Sequence, residues 1–493
     1  MNRQLRRLTV GLLVLFGLLF VQLNWLQTVQ AGSLRKRPDN TREIIRDFTR
    51  ARGTIYSADN QVLALSVPSD DRYELQRQYP LGELFSHPVG YFSLKYGTSE
   101  VESVFNDVLT GRTPQQELRG LGNLFSAKVK TGDVYLTLRA DLQAVARDAL
   151  GDKEGSVVLL DPKTGAIFAM WSNPGYDPNL LASHDLKQAD DARATYLANK
   201  DQQPLLSRVY QERYMPGSTF KVLTTATALE AGVVDLDSRF PAERTWVPPQ
   251  TTTPIQNYGG SLCGGDLKQV FTVSCNIPFA QTGLNVGAAR MVEGIDRFGF
   301  QDPAPIDLPG AVGSYFGRPA SFDQDDPKLA QSAFGQNEVQ GTPLHMALVA
   351  AAVANEGKIM TPHVLDETRD AGGSVLTTYQ PKVWKTAMSR GTAATLKDLM
   401  VSVVQNGTAR CCMQLANGIQ AAAKTGTAQL RGPGDPSGPS SHAWILGFAP
   451  ADEPSVAFAV FVKATPEVTA GVGGSIAGPV AKQLVDAALA LGA

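Results

Sequence analysis

Ser218 and Lys221 stand three residues apart in Tyr214-Met215-Pro216-Gly217-Ser218-Thr219-Phe220-Lys221. On a helix that spacing puts both side chains on one face, a hydroxyl beside an amine able to take its proton. Pro216 and Gly217 supply a turn. Val222, Leu223, Ala226, Ala228 and Leu229 continue it as a helix that is small and apolar on every side, which suits a central position. Gly232 is placed to end that helix as its C′ residue. The pattern predicts a helix beginning at Ser218, whose N-terminal partial positive charge favours a developing oxyanion. It equally fits a serine that only caps a helix and a lysine that only meets water.

Two further segments carry groups that could complete such a site. Ser274-Cys275-Asn276 follows Phe271-Thr272-Val273, and Lys424-Thr425-Gly426-Thr427 lies in a strand candidate. Taken singly, the first could be no more than the start of a helix and Lys424 no more than an edge-strand charge.

The elements that must bring these segments together can be read in order. Arg3, Arg6 and Arg7 precede an apolar run from Val10 to Val21 that weakens through Leu23, Trp25 and Leu26. Basic residues before a single span leave the N-terminus in the cytoplasm and the body outside. A membrane anchor from about Leu8 to Val29 is the favoured reading, since a span needs about 20 residues. A cleaved signal peptide ending at Val29-Gln30-Ala31 also fits. Residues 32 to 47 are polar and charged, consistent with a linker. Arg52-Gly53-Thr54-Ile55-Tyr56 and Gln61-Val62-Leu63-Ala64 read as two short strands about a Ser57-Ala58-Asp59-Asn60 turn. They open a small mixed domain ending near Thr131, with a loop at Thr110 to Pro114.

From there the pattern is α+β. Asp133 to Leu138 alternates as a strand and Asp141 to Leu150 has helical spacing. Gly155 to Leu160 and Ala166 to Trp171 read as a hairpin about Asp161-Pro162-Lys163-Thr164-Gly165. Leu344 to Ala354 is an alanine-rich buried helix. Gln420 to Leu430, His442 to Ala449 and Ser455 to Ala464 form an antiparallel meander, which an amphipathic helix from Val480 to Leu491 can cover. The expected domains are 1–31 (cytoplasmic tip and anchor), 32–131 and 132–493.

Composition excludes several chemistries. The 493 residues carry a formal charge of −2, so nothing recommends a nucleic-acid partner. The histidines (His87, His184, His345, His363, His442) show no metal-ligand spacing, and neither GxxxxGK[ST] nor GxGxxG occurs. No metal and no cofactor is expected.

S-x-x-K, then S-x-N, then K-T-G is the signature of the penicillin-recognising serine acyl enzymes, and it stands here as STFK, SCN and KTGT. VVLLDPKTGAIFAMWSNPGYDPN, YMPGSTFK, KTGTAQ and HAWILGFAP resemble the transpeptidase domain of class B penicillin-binding proteins. RGTIYSADNQVLA resembles their N-terminal pedestal, and GGSIAGPVAKQ their C-terminal end. The compact pedestal and the cysteine inside SCN are most similar to the actinobacterial branch. Arg139, after YLTL, departs from the acidic residue usual there.

The resemblance implies a penicillin-binding or serine β-lactamase-like fold, an antiparallel sheet with flanking helices and an all-helical subregion, behind a pedestal and one transmembrane helix. It implies a peptidoglycan D,D-transpeptidase of cell-wall growth and division that β-lactams acylate. Ser218 would attack the carbonyl between the two terminal D-alanines of a stem peptide, with Lys221 as base. Ser274 would relay a proton to the leaving amine, and Asn276 would hold Lys221 and the substrate amide. Lys424, Thr425 and Thr427 would bind the terminal carboxylate, and Gly426 would let substrate approach the strand. Backbone N–H groups of Ser218 and Thr427 would form an oxyanion hole, each donor worth roughly 3 kcal/mol. Lys221 must be neutral to act as a base; burial and the charge of Lys424 would both serve that. The expected partners are stem peptides, β-lactams, the cytoplasmic membrane and a polytopic glycosyltransferase of the SEDS type. The expected location is single-pass, with the catalytic domain outside.

Export permits disulfides. A Cys263–Cys275 bond would close a loop of about 13 residues, worth roughly 3 kcal/mol, and would fasten the loop bearing Ser274 and Asn276. Two free thiols are the alternative. Cys411 and Cys412 could form only a strained adjacent bond or stay reduced. The other readings of the chain are a D,D-carboxypeptidase, a β-lactamase and a non-catalytic β-lactam sensor or scaffold. A β-lactamase would not explain the long segment before the catalytic domain, and no E-x-x-L-N follows Asn276.

Overall fold

A computed structural model describes residues 2–26, 48–114, 116, 131–431, 440–465 and 472–492. The chain divides into two compact units, residues 1–51 with 66–76, and residues 52–65 with 77–493. The first contains helix α1 (Asn2–Trp25), 24 residues whose apolar side chains are exposed. At 1.5 Å per residue it is about 36 Å long, enough to cross a hydrocarbon core of about 30 Å. The processing site at Val29-Gln30-Ala31 and the linker to residue 47 lie outside the described residues.

The second unit begins with the expected hairpin, β1 (Ile55–Tyr56) antiparallel to β2 (Val62–Pro68) at Ile55↔Ala64. Beneath it the buried Glu102 carboxylate joins Arg52 Nε at 2.5 Å and Arg77 Nε at 2.6 Å. The two guanidiniums hold its pKa below the usual carboxylate value against burial, which pushes it up. Strand β3 (Gly132–Leu136) runs parallel to β1 and pairs on its other side with Leu365–Asp370, antiparallel. Arg139 forms two hydrogen bonds with Asp141, at 2.7 and 3.0 Å, beside the start of α2 (Ala140–Leu150).

The central sheet is built from β4 (Gly155–Leu160), β5 (Ile167–Asn173), β6 (Ala422–Arg431), β7 (Ser440–Ala449) and β8 (Val456–Val462). Its order is β6-β7-β8-β4-β5, antiparallel throughout, with Lys424 opposite Leu446 and Leu446 opposite Ala459. β4, β7 and β8 are buried at every position, so both faces are covered and the apolar run is continuous rather than alternating. Pro343–Ala354 packs on the sheet, as do α2 and the C-terminal helix Gly473–Ala490. That last helix starts seven residues before the expected Val480. Its first turns, GGSIAGP, carry turn residues, but Gly473, Gly474, Ala477 and Gly478 are buried there because only small residues fit.

Candidate active site

The nucleophile segment is held on three sides. Tyr214 exchanges two backbone hydrogen bonds with Gly341, Gly217 N donates to Gly335 O, and Trp444 Nε1 donates to Met215 O. Gly217 has φ 54°, and a Cβ there would lie 2.6 Å from Thr427 O, so the turn needs glycine on both counts. Ser218 does not begin the α-helix. Gly217–Phe220 is a 3₁₀ turn and the α-helix runs Lys221–Glu230, with Gly232 at φ 64° beyond its end. In a 3₁₀ turn residues i and i+3 eclipse, so Ser218 and Lys221 still share a face. The helix is buried from Lys221 to Ala228, and Lys221 has 0 % exposure, so the solvated-lysine alternative fails.

Ser274 takes its position from a helix end. After the helix Leu267–Thr272, Ser274 adopts φ 65°, its N–H bonds Phe271 O, and Cys275 N–H bonds Val270 O. This is a Schellman closure with serine where glycine is usual. The next residue, Cys275, is disulfide-bonded to Cys263 with Cα atoms 5.8 Å apart, so the strained residue lies between a helix end and a covalent tie. Cys411 and Cys412 are free thiols. Asn276 does begin a helix, Ile277–Val286, but its side chain does not cap it. Asn257 Oδ1 accepts from Asn276 N and Ile277 N instead, and Asn276 Nδ2 donates to Gln256 O, which turns its Oδ1 toward Lys221.

The two lysines converge on this loop. Lys221 Nζ donates to Ser274 O at 2.8 Å and Asn276 Oδ1 at 2.9 Å, and lies 3.3 Å from Ser274 Oγ. Lys424 Nζ donates to Ser274 Oγ at 2.8 Å and to Thr425 O at 2.9 Å. Lys424 is also 0 % exposed, so it is no edge-strand surface charge although β6 is the sheet edge. Among the described residues neither amine has a carboxylate within 4 Å. Burial, and then the charge of Lys424, hold Lys221 well below the usual lysine pKa; burial lowers Lys424 to about 7.

A cleft of about 230 Å³ opens above them, lined by Ser218, Ser274, Asn276, Thr425, Thr427 and Thr408. Gly426 does not line it. A Cβ there would meet Pro216 O at 2.7 Å and Thr219 Cγ2 at 2.9 Å, so this glycine lets the strand pack on the nucleophile turn rather than on substrate. Thr408, whose Oγ1 is hydrogen-bonded to Thr425 Oγ1, gave no signal in the sequence, nor did Asn257, since both come from loops. Among the described residues no group of three or more His, Cys, Asp or Glu could hold a metal.

The chain is similar to known proteins over most of its length. Residues 155–486 match the penicillin binding protein transpeptidase domain, and residues 52–134 the penicillin binding protein A dimerisation domain. The chain is 37 % identical to the peptidoglycan D,D-transpeptidase PbpA of Mycolicibacterium smegmatis, with 99 % of each chain covered. It is 35 % identical to PbpA of Mycobacterium tuberculosis, again over 99 % of each. The structure of penicillin-binding protein A from M. tuberculosis as a ceftriaxone acyl-enzyme complex superposes with TM-score 0.83 at 34 % identity, covering 90 % of this chain and 100 % of that one. With two family domains in sequence and relatives matched end to end, the chain belongs to the penicillin-binding proteins that carry a transpeptidase domain, in the branch of penicillin-binding protein A.

Proposed function

We propose that this protein is a peptidoglycan D,D-transpeptidase acting through an acyl-enzyme on Ser218, acylated by β-lactams as mimics of D-Ala-D-Ala. The observation that carries the reading is the unbroken run of polar groups from Lys221 Nζ through Ser274 Oγ to Lys424 Nζ beneath the half-buried Ser218. A neutral amine has two N–H bonds, and two carbonyl oxygens, of Ser274 and Asn276, accept from Lys221. Its lone pair is then left to take the proton of Ser218 as the Ser218 Oγ–carbonyl bond forms. The oxyanion lies against the N–H groups of Ser218 and Thr427. Ser274 passes its proton to the departing D-alanine amine and takes back the one held by Lys221, 3.3 Å away, with Lys424 stabilising the hydroxyl's oxygen. The terminal carboxylate meets the hydroxyls of Thr425, Thr427 and Thr408, while the charge of Lys424 acts on it from beneath. An acceptor amine then displaces Ser218 and forms the cross-link.

The apolar α1 and the basic residues of its first two turns, Arg3, Arg6 and Arg7, support a single-pass anchor with the catalytic domain outside the cell. The pedestal and anchor are then the surfaces to offer a SEDS-type glycosyltransferase; a pull-down that is unchanged by pedestal deletion removes the pedestal from that role. The enzymatic test is a D-Ala-D-Ala donor with and without an added D-amino acid. Aminolysis at the expense of hydrolysis is expected; hydrolysis alone would make the protein a carboxypeptidase.

A further inference from the structure

The turn after the helix Arg390–Asn406 carries two adjacent cysteines that the chemistry above does not use. Cys412 N–H and Met413 N–H both bond Ala409 O, and in the turn so formed the Sγ atoms of Cys411 and Cys412 are in contact. Cys411 is exposed and Cys412 is buried. Burial, and then Cys411 beside it, push the Cys412 thiol up to about 12, so the exposed Cys411 is the sulfur that meets a reagent first.

The pair stands against one end of the cleft. Three residues before Cys411 is Thr408, which lines the cleft and is hydrogen-bonded through Oγ1 to Thr425 Oγ1. On its other side the pair packs on the C-terminal helix Gly473–Ala490. A Cβ on Gly478 would lie 2.7 Å from Cys412 Sγ. One on Gly474 would lie 2.6 Å from Thr408 O, 3.5 Å from Cys411 Sγ and 3.6 Å from Cys412 Sγ. Gly474 lines the cleft as well. Two walls of the cleft, Thr408 and Gly474, therefore lie against the cysteine turn.

A bond between adjacent residues acts on the backbone. Consecutive Cα atoms stand about 3.8 Å apart across a trans peptide, short of the roughly 4.4–6.8 Å that an unstrained disulfide spans. Such a bond forms only as the turn rotates, and it is readily reduced. The dithiol is the state in which Thr408 bonds Thr425, so the rotation works against that contact.

Resting on the transpeptidase reading and on a catalytic domain outside the cell, we propose that Cys411 and Cys412 form a site of reversible oxidation by an external disulfide, and that the closed form slows acylation of Ser218 by displacing Thr408 from the cleft. Cys411, as a thiolate, attacks one sulfur of the oxidant and releases a first thiol. Cys412 then gives up its proton, attacks the Cys411 sulfur and releases a second. Two protein thiols are oxidised and one external disulfide is reduced to two thiols, with two electrons and two protons passing to it.

The test places the whole protein in glutathione buffers of rising disulfide fraction, over the range in which the Cys263 and Cys275 peptides stay linked. Alkylation followed by peptide mass mapping should show the 411–412 peptide passing from two alkyl groups to none, with no glutathione attached. The rate of labelling by fluorescent penicillin should fall about fivefold in step, the loss expected when one neutral hydrogen bond is misplaced, and a dithiol should restore it. Cys411→Ser should label at the reduced protein's rate in every buffer; Cys412→Ala serves as the second insensitive variant. A pair that stays alkylatable, or that stops at a glutathione adduct on Cys411, overturns the inference. So does an internal bond that leaves the labelling rate unchanged, or a rate that falls equally in Cys411→Ser. No labelling of either form overturns the proposed function and the coupling with it.

Discussion

Lys424 Nζ donates to Ser274 Oγ at 2.8 Å, so the lysine of the sheet edge is linked to Lys221 through a single hydroxyl. Both amines compete for the conditions of that hydroxyl. Lys221 works only unprotonated and Lys424 only protonated, which sets two limits on pH. The acid limb of the acylation profile belongs to Lys221, well below its ordinary pKa, and the alkaline limb to Lys424, near 7 in the free protein. Lys424→Met removes the neighbouring charge, so the acid limb should move to higher pH and the rate should fall by roughly two orders of magnitude. The pH dependence of acylation by a fluorescent penicillin measures both; an acid limb left in place would separate Lys424 from Lys221.

The same burial has a sign in stability. The unfolded chain holds Lys424 protonated to about pH 10, whereas the folded chain releases that proton near 7. Between those values the unfolded state binds more protons, so stability rises with pH. Relative to Lys424→Met, the unaltered protein should gain about 1.4 kcal/mol per pH unit from 7.5 to 9.5 from this group. Denaturant unfolding at several pH values gives the slope, and parallel lines for the two proteins would show that the lysine is not buried uncharged.

Ser274 sits at φ 65° because the helix before it closes there, not because serine prefers it. Ser274→Gly relieves the left-handed strain while giving the unfolded chain more freedom, effects of about 1 kcal/mol each and opposite in sign. The variant should therefore unfold within a few degrees of the parent yet acylate roughly a hundredfold more slowly. A large loss of thermal stability would mean that the hydroxyl is structural.

The three motifs were legible because each is defined by residue type at short spacing, and so were the strands of the meander, whose apolar runs have no helical period. Ser218 in a 3₁₀ turn was not, because the turn is set by Gly335, Thr427 and Trp444, none of them near it in sequence. Gly426 was assigned to substrate approach, but the neighbour that demands a glycine there is Pro216. The early start of the C-terminal helix was hidden because Gly473, Gly474 and Pro479 carry the local preferences of a turn, which close packing overrides. Thr408 lines the cleft from a loop, hydrogen-bonded to Thr425 seventeen residues away, a placement that local spacing does not announce.

The Cys263–Cys275 bond ties a strand, Cys263–Asp266, to the residue after Ser274. Chain entropy for a sequence separation of 12 suggests about 3 kcal/mol. Cys263→Ala should lower stability by about that amount and slow acylation of Ser218 by fluorescent penicillin, because Ser274 loses the tie beside it. Peptide mapping without reduction should recover the two cysteines in one linked fragment; recovery of both as alkylated thiols would refute the bond.

Glu102 tests whether the pedestal is a separate support. Its carboxylate is buried between Arg52 and Arg77, with Tyr79 Oη at 3.3 Å. Glu102→Gln removes the buried carboxylate that Arg52 and Arg77 share, a loss of about 3–5 kcal/mol when one partner of such a group is removed. None of these residues belongs to the five-stranded sheet or lines the cleft, so the loss should fall on the pedestal. Limited proteolysis should then cut between residues 52 and 114 at temperatures where fluorescent penicillin still labels Ser218. Parallel loss of both would mean that the pedestal and the cleft unfold as one unit, and that the buried ion pairs hold the active site itself.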